Sequence, residues 1–564
     1  MTLDDLKLAD EAPHWMDDEG FQTLNNGYML PNETPRGMYT RVARAAGSYY
    51  IDSDTWTNKF FDAMWKNWLC PASPILSNLG TIRGLPISCN SIHVDDSVSS
   101  IFEKNHELAM LSKSGAGVGI YMGDVRGRGA AIKGNGASEG IIPWSKVYDI
   151  TTLSVNQGST RRGASAIYLP IDHLDIDEFI NVRRPTGDVN RRCMNINHGV
   201  CITNSWMETM LAGDTKKRQT WTDVLKTRVE TGEPYIFFTD NVNSANPECY
   251  KKNGLSVKTS NICTEVMLYT DPKHSFVCCL SSLNLVKWDE WKDTDVVNVT
   301  VRFLDAVLEE YIVKSDGVPG LDASRRSAID GRAIGIGVLG WHTLLQRRSI
   351  AFESFDAMQL NAEIFRTIRS RSEDETACLA AELGEPKWCK GFNRRNSHLM
   401  AVAPTVSNST ISGGHSAGIE PISANVYSQK SAKGTFIRRN CELERLLADR
   451  GYDDAETWRS IVQNSGSVAH LKFLNEHERS VFLTAREINQ HAIVRQACQR
   501  QRWIDQGQSV NLFFGSNSDP RYIHEVHVEA WRGGLKSLYY LRSTGLLKGD
   551  LASRSKDECT ACEA

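Results

Sequence analysis

The sequence lacks the features that mark a membrane or exported protein. No apolar run approaches the roughly 20 residues that are needed to span a bilayer. The start at Met1 has neither the basic nor the apolar region of a signal peptide. Internal repeats and low-complexity tracts are also missing. We therefore expect a cytoplasmic protein with no membrane partner.

The chain also lacks an excess of charge of either sign. Its 64 Lys and Arg residues nearly balance 68 Asp and Glu residues, which leaves a formal net charge of −4. This balance argues against DNA or RNA as a partner, because non-specific attraction to nucleic-acid backbones needs a basic surface. Any bound polyanion is expected to be small and held locally. The 41% hydrophobic and 23% charged residues are ordinary for a globular protein.

Four regions are expected along the chain. Residues 1–69 contain helix-compatible stretches, which predicts a helical N-terminal region. Residues 70–545 alternate short apolar runs with helical stretches, which indicates α/β architecture, and both a barrel and a doubly wound sheet fit. A small, mostly helical subdomain is predicted around residues 426–500. Residues 546–564 are predicted to form a flexible tail, because their composition cannot bury enough apolar surface.

The tail carries two thiols, Cys559 and Cys562, with two residues between them. This spacing lets a dithiol close into a disulfide. Half of a zinc site is the alternative, but structural zinc needs further ligands, and the tail offers no His or additional Cys. A redox role is therefore favoured over a metal site.

A second group alternates amide, thiol and carboxylate at Asn261, Cys263 and Glu265. In an extended segment these side chains would lie on one face, about 6–7 Å from each to the next, within reach of one small molecule. Such a set suits proton transfer and thiol chemistry. The alternative is an exposed polar strand face with a buried Cys. Further along, Tyr539 and Tyr540 fit equally well as two core aromatics.

Several motifs together resemble one enzyme family. The sequence is similar to the large subunits of class I ribonucleotide reductases over nearly its whole length. The motifs occur in the family's order: Pro86-Ile-Ser88-Cys89-Asn, Asn261-x-Cys263-x-Glu265, Cys278 before Leu280-Ser-Ser-Leu, Ser537-Leu-Tyr-Tyr-Leu-Arg, and the terminal Cys-x-x-Cys. The resemblance implies an α/β fold: a ten-stranded α/β barrel with a central finger loop, preceded by a helical N-terminal region. Cys263 would lie on that loop.

The resemblance also implies a reaction, the reduction of ribonucleoside diphosphates to 2′-deoxyribonucleoside diphosphates. Cys263 would become a thiyl radical that removes the 3′-hydrogen of the ribose. Glu265 would take the 3′-hydroxyl proton, and Asn261 would position the sugar, which lowers the barrier by preorganisation.

Two pairs of cysteines would supply the electrons. By resemblance, Cys89 and Cys278 form the reducing pair and end as a disulfide. Cys279 adjoins Cys278, and only the family pattern selects Cys278. The tail pair, Cys559 and Cys562, would reduce that disulfide by thiol exchange and be recycled by thioredoxin or glutaredoxin.

The radical itself would come from a second protein. In class I members a tyrosine pair, here Tyr539 and Tyr540, relays the radical from a small subunit that carries a metal-based radical cofactor. The large subunit is expected to bind no metal and no cofactor of its own.

Nucleotide ligands are expected at two places. The substrate diphosphate would be bound by Ser88 and by the hydroxyls of Thr405, Ser407 and Ser409. A run of hydroxyls and backbone N–H groups suits phosphate. The alternative is that this run is an ordinary turn. Asp96 would bind the ribose of an effector (ATP, dATP, dTTP or dGTP) at a specificity site near a homodimer contact. Helix capping is the alternative for Asp96.

The family also suggests alternatives and one difference. Many large subunits carry an ATP-binding cone before the point that matches residue 11 here, so we expect specificity control without overall shut-off by dATP. A cobalamin-dependent reductase is the rival enzyme, against which Tyr539 and Tyr540 argue. An anaerobic glycyl-radical reductase and a non-catalytic nucleotide-binding or zinc-stabilised regulator fit less well.

Overall fold

This computed structural model of the protein describes residues 2–155, 163–431 and 434–543. The predicted tail thiols, Cys559 and Cys562, lie outside the described residues.

The N-terminal region is helical, as predicted. Each of its four helices follows a residue whose side chain accepts a hydrogen bond from a first-turn N–H group, and this satisfies donors that a helix start leaves unpaired. The helices and their capping residues are α1 (Leu3–Leu8, Thr2), α2 (Asp18–Asn25, Asp17), α3 (Pro35–Gly47, Thr34) and α4 (Ser53–Trp65, Asp52).

The other helices connect and surround a central sheet. They are α5 (Ser73–Asn78), α6 (Val98–Lys113), α7 (Ile141–Ser154), α8 (Ile176–Phe179), α9 (Asn204–Ala212), α10 (Thr215–Thr231), α11 (Thr239–Ser244), α12 (Glu248–Lys252), α13 (Trp288–Trp291), α14 (Val296–Lys314), α15 (Asp322–Gly331), α16 (Trp341–Arg347), α17 (Phe355–Leu383), α18 (Val406–Ile411), α19 (Cys441–Arg450), α20 (Ala455–Gln463), α21 (Glu476–Val481), α22 (Gln490–Gln501) and α23 (Pro520–Arg532). Short 3₁₀ turns cover Val189–Arg191, Leu285–Lys287 and Lys387–Cys389.

The strands are short and mostly buried. They are β1 (Leu69–Pro71), β2 (Cys89–His93), β3 (Gly117–Tyr121), β4 (Ala164–Pro170), β5 (Asn197–Ile202), β6 (Tyr235–Phe238), β7 (Phe276–Asn284), β8 (Ile334–Leu339), β9 (Val426–Ser431), β10 (Gly434–Arg439), β11 (Leu512–Phe514), β12 (Ser537–Leu538) and β13 (Leu541–Ser543).

The central sheet closes into a ring made of two halves. In the first half β2, β3, β4, β5 and β6 are parallel neighbours in that order. The second half consists of β7 and β8, which are parallel, and three further segments: 399–402, 508–514 and 537–543. Single bridges and backbone hydrogen bonds join these segments side by side.

The two halves meet antiparallel at two seams. β7 pairs with β2 at the first seam, and β12 pairs with β6 at the second. Ten strand segments therefore surround the interior, which confirms the barrel implied by the resemblance and excludes the doubly wound alternative.

Side chains alternate between the inside and the outside of the ring. In β6, Tyr235 and Phe237 belong to the inner apolar cluster, whereas Ile236 and Phe238 pack against the outer helices. This period of two is the geometry of a strand, and both faces are buried because helices cover the outside.

The region around residues 426–500 differs in part from its prediction. It has its own small apolar cluster, which includes Leu443 and Trp458, and it contains the predicted helices. It begins, however, with an antiparallel hairpin of β9 and β10. Short strands in a polar stretch leave little periodic signal, so the mostly helical prediction missed them.

The segment between α12 and β7 enters the barrel and forms the finger loop, residues 257–270. Gly119 in β3 lets the loop pass close to the wall: a Cβ at this position would lie 1.9 Å from the Ser260 carbonyl oxygen. Only glycine leaves room for that approach.

We predict that Gly119→Ala displaces the finger loop. The added methyl group overlaps backbone rather than a flexible side chain, so the unfolding free energy should fall by about 1–3 kcal/mol or more. Gly515→Ala is the matched control, because its nearest atom to a Cβ is 3.8 Å away. Denaturant unfolding measures both variants. Equal stability of the two would contradict the close approach.

Candidate active site

The finger loop turns back on itself at its tip, deep inside the barrel. Asn261 accepts the Val266 N–H at its Oδ1 atom (3.0 Å) and donates its own N–H to the Val266 carbonyl (3.3 Å). Thr264 adopts a left-handed φ of 66°. The extended geometry predicted for residues 261–265 is therefore wrong, because a tight turn at 262–264 brings the amide, thiol and carboxylate together instead.

Neighbouring strands fix the tip by hydrogen bonds to its backbone. The donors are the Tyr168 hydroxyl to Asn261 O (2.7 Å), the Ser509 hydroxyl to Cys263 O (2.5 Å), the Ser537 hydroxyl to Thr264 O (2.8 Å) and the Gly507 N–H to Glu265 O (2.8 Å). Cys263 is 3% exposed, so these bonds satisfy carbonyl groups that water does not reach.

Glu265 is a buried carboxyl group with two hydrogen-bond donors. Asn261 Nδ2 donates to Oε1 over 2.9 Å, and the Ser509 hydroxyl, whose one hydrogen is shared with Cys263 O, donates to Oε2 over 3.2 Å. Burial raises the pKa of Glu265 to about 7, although both hydrogen bonds act in the opposite direction. A carboxyl group with such a pKa can take up or release a proton near neutral pH.

Cys89 and Cys278 stand directly opposite each other across the first seam. Opposed residues in antiparallel strands have Cα atoms about 4.5–5.5 Å apart, within the range that a disulfide spans. Cys89 Sγ lies 4.0 Å from Glu265 Oε1, and Gln506 Nε2 lies 3.4 Å from Cys278 Sγ. The sequence alone did not indicate that these two thiols meet.

Adjacent Cys279 points the other way. Cys278 belongs to the inner cluster with Cys89 and Cys263, whereas Cys279 packs in the outer cluster. Strand alternation therefore favours Cys278 as the thiol that faces the finger loop.

The tyrosine pair lies at the second seam. β12 pairs with β6 in a register that, continued by one residue, brings Tyr539 opposite Tyr235. Ring centroids are 4.3 Å apart for Tyr539 and Tyr540, 4.8 Å for Tyr235 and Tyr539, and 5.0 Å for Tyr235 and Tyr540. Asn197 Nδ2 donates to the Tyr540 hydroxyl over 3.1 Å. The analysis of the sequence missed Tyr235 and Asn197, because only strand pairing brings them here.

The Ser/Thr loop, residues 404–410, runs from Pro404 through the N-cap Thr405 into α18 itself, which contains Ser407 and Ser409. Thr405 has a left-handed φ of 56°, and its hydroxyl oxygen accepts the Gly418 N–H over 2.7 Å. The Thr405 and Ser409 hydroxyl oxygens are 3.2 Å apart, and Ser407 is 8% exposed. Ser88 is buried directly before β2, where its carbonyl accepts the Gly117 N–H over 2.7 Å.

Asp96 does not cap α6. Ser97 is the capping residue, and its hydroxyl accepts the Ser100 N–H over 3.1 Å. Asp96 instead accepts from the Arg126 backbone N–H (3.2 Å) and from Arg126 Nε (2.7 Å). The Asp96 carboxylate therefore binds the glycine-rich segment 124–140 by hydrogen bonds and does not cap α6.

One group of side chains in the described ranges has metal-ligand geometry. His93 Nε2 lies 2.9 Å from Asp124 and 3.4 Å from Asp95. The Lys258 ammonium group, 2.8 Å from Asp124, already pairs with this carboxylate, so the cluster is explained as an ion-pair network at the base of the finger loop. No helix within the described residues is long and apolar enough to cross a membrane.

Glu265 predicts a pH dependence of stability. Because the folded chain holds the Glu265 proton more tightly, the stabilisation is fully present below the ordinary pKa of 4.5 and is lost as the pH rises through about 7. Relative to Glu265→Gln, the unfolding free energy should therefore fall by about 3 kcal/mol over this interval. Denaturant unfolding at a series of pH values measures the difference, with Glu208→Gln as a surface control. A pH-independent difference would contradict the raised pKa.

Comparisons with known proteins agree with the geometry. Residues 87–217, 212–394 and 389–541 match the family described as "Ribonucleotide reductase, barrel domain", and residues 15–84 match "Ribonucleotide reductase, all-alpha domain". The putative ribonucleoside-diphosphate reductase large subunit of Frog virus 3 (isolate Goorha) is 39% identical over 527 residues, which cover 90% of this chain and 92% of the relative.

Two further proteins cover nearly the whole chain. The ribonucleoside-diphosphate reductase large subunit of Invertebrate iridescent virus 3 is 34% identical over 626 residues, covering 96% of this chain and 98% of the relative. The solved structure of the Actinobacillus ureae class Id ribonucleotide reductase alpha subunit has a TM-score of 0.88 and 40% identity, covering 95% of this chain and 99% of that chain. The matched domains, the barrel and its finger loop together confirm that the chain belongs to the family of ribonucleotide reductase large subunits.

Proposed function

We propose that the chain reduces ribonucleoside diphosphates by a radical on Cys263. The observation that carries this proposal is the cluster at the tip of the finger loop, where Cys263, Glu265 and the Cys89–Cys278 pair share one buried site. A thiyl radical reacts readily with oxygen and other solutes, so burial inside a closed barrel protects it.

The proposed reaction balances in atoms and electrons. The Cys263 thiyl takes the 3′-hydrogen atom of the ribose and becomes a thiol, while Glu265 takes the 3′-hydroxyl proton. The 2′-hydroxyl leaves as water with a proton from Cys89 or Cys278. The pair then supplies two electrons and its second proton to the sugar and becomes a disulfide, while Glu265 returns its proton to the 3′-oxygen. Cys263 returns a hydrogen atom to C3′, and this restores the thiyl radical.

A small subunit with a metal-based radical cofactor is proposed to start the reaction. Tyr540 and Tyr539 would relay the radical, since their rings are in contact and Tyr539 is buried within the inner cluster. A groove of about 890 Å³ is lined by residues of α22 and α23, among them Arg495, Arg502 and Arg532. The chain runs from the end of α23 into β12, which directly precedes Tyr539 and Tyr540. We propose that a segment of the small subunit docks in this groove, because the docked radical must reach Tyr540.

Nucleotides are proposed to bind at two separate places. The hydroxyls of Thr405, Ser407 and Ser409, together with Ser88, would hold the substrate diphosphate at the barrel. Asp96 would hold the ribose of an ATP, dATP, dTTP or dGTP effector beside the glycine-rich segment. Arg126, which already contacts Asp96, would then be free to move with the bound effector.

A homodimer is proposed through α6 and α7. These helices pack side by side and leave large apolar side chains in solvent, namely Val98, Phe102, Ile150 and Leu153. Clustered exposed apolar groups are typical of a subunit contact. Asp96 lies two residues before α6, so an effector bound there would act close to the dimer contact.

The tail thiols complete the proposed cycle. Cys559 and Cys562 would reduce the Cys89–Cys278 disulfide by exchange, and thioredoxin or glutaredoxin would reduce the tail.

The central experiment is reduction of CDP with a radical-loaded small subunit and dithiothreitol. We expect Cys263→Ser to lower the rate by about 10⁴-fold or more, because serine cannot form the radical. Cys201→Ser is the control, since Cys201 is another buried inner cysteine. Activity of Cys263→Ser equal to that of the control would reject the proposal, and activity that needs adenosylcobalamin instead would favour the rival enzyme class.

A single turnover without added reductant, in a chain with Cys559→Ser and Cys562→Ser so that the tail cannot reduce the product, tests the thiol pair. We expect peptide mapping of the product mixture to find a disulfide between Cys89 and Cys278, and Cys278→Ser to prevent it. Cys279→Ser is the control, because that thiol packs outside the ring. A disulfide that persists in Cys278→Ser and vanishes in Cys279→Ser would show that Cys279, and not Cys278, is the partner of Cys89.

A further inference from the structure

Tyr540 is connected to the Ser/Thr loop by a series of contacts that the proposed reaction does not use. We propose that Asn511 and Glu420 are positioning residues that couple binding of a diphosphate at the Ser/Thr loop to the placement of Tyr540. This inference rests on the proposed function, in which that loop binds substrate and Tyr540 receives the radical.

The first contact fixes the backbone of Tyr540. Asn511 Oδ1 accepts the Tyr540 N–H over 2.9 Å. On either side, the Tyr539 N–H donates to Val510 O (2.9 Å) and the Leu512 N–H donates to Tyr540 O (3.0 Å). The side chain of Asn511 therefore supplies a bond to the Tyr540 N–H, between two backbone bonds to the same strand.

The second contact joins Asn511 to Glu420. Asn511 is 4% exposed, and its Nδ2 donates to the Glu420 carboxylate. Burial raises the pKa of Glu420 to about 7, while the charge of Arg542 acts in the opposite direction. The Arg542 guanidinium lies 4.7 Å from the centre of the Tyr540 ring. Glu420 thus acts on two groups, Asn511 and Arg542, that both touch Tyr540.

The third contact joins Glu420 to the Ser/Thr loop. Glu420 lies at the end of a turn whose Gly418 N–H donates to the Thr405 hydroxyl oxygen over 2.7 Å. In the same turn the Ser416 carbonyl accepts from the Ser409 hydroxyl over 3.3 Å. The turn that carries Glu420 is therefore held by the same two hydroxyls that are proposed to bind phosphate.

These shared hydroxyls give the coupling its physical basis. A phosphate group that takes the Ser409 hydrogen competes with the Ser416 carbonyl, because a hydroxyl has only one hydrogen to donate, and the turn loses that bond. A shift of the turn moves Glu420, and the buried amide of Asn511 must follow or lose a charge-assisted hydrogen bond. The placement of Tyr540 against Tyr539 therefore changes when substrate binds.

The test uses the full chain with 3-aminotyrosine at position 540, a radical-loaded small subunit, and CDP present or absent. Electron paramagnetic resonance measures the radical yield at position 540. We expect CDP to raise the yield, and Asn511→Ala to give equal yields with and without CDP. In chains with natural tyrosine, Asn511→Ala should lower kcat by about tenfold, because it removes a hydrogen bond to a buried carboxylate.

Two further variants separate positioning from general damage. Glu420→Gln keeps a carbonyl oxygen that can accept from Asn511, so it should retain most of the dependence on CDP. Asn425→Ala is the matched control, because Asn425 is a fully buried amide that bridges Gly466 O (3.0 Å) and Phe482 O (2.8 Å) far from the tyrosines. It should behave as the unaltered chain does.

The outcomes distinguish failure of the coupling from failure of the proposed function. A dependence on CDP that survives in Asn511→Ala, or that is lost equally in Asn425→Ala, overturns the coupling and leaves the proposed function standing. A radical that never forms at position 540 in the otherwise unaltered chain, under conditions where CDP is not reduced, overturns the proposed function and the coupling with it.

Discussion

The finger loop is held in place by hydrogen bonds from the strands around it. A turn buried inside a barrel has no ladder of its own, so its polar groups need partners from the wall. Residues 506–512 provide several of them, and the same segment reaches the cysteine pair and the tyrosines. Its contacts are Gln506 with Cys278, Gly507 with Glu265, Ser509 with Cys263 and Glu265, Val510 with Tyr539, and Asn511 with Tyr540.

This arrangement explains how the Glu265 carboxyl group can exchange a proton near neutral pH although it lies in an apolar interior. Among the residues that the structure describes, no cation lies beside Glu265, and its hydrogen bonds come from the neutral donors of Asn261 and Ser509. Neutral donors offset only part of the cost of burying a charge. The two protonation states are therefore close in energy, whereas an arginine partner would have fixed the carboxylate as an anion.

The sequence predicted the class of fold and selected the candidate site residues, but it did not predict which of those residues are in contact. Motifs are local, so Asn261, Cys263 and Glu265 could be recognised together, whereas the turn that joins them depends on a left-handed Thr264, which composition does not signal. Strand periodicity could not separate Cys278 from Cys279, because both faces of a barrel strand are buried. The distant partners of the tyrosines required the register of the ring, which is set by packing of the whole chain.

The two seams fix which side chains of the two halves face each other inside the barrel. Antiparallel strands set side chains directly opposite each other, and the molecule has its cysteine pair at one seam and its tyrosines at the other. A slip of one residue in either half would turn inward-facing side chains outward at both seams. The position of the cysteine pair is therefore tied by the geometry of the ring to that of the tyrosines.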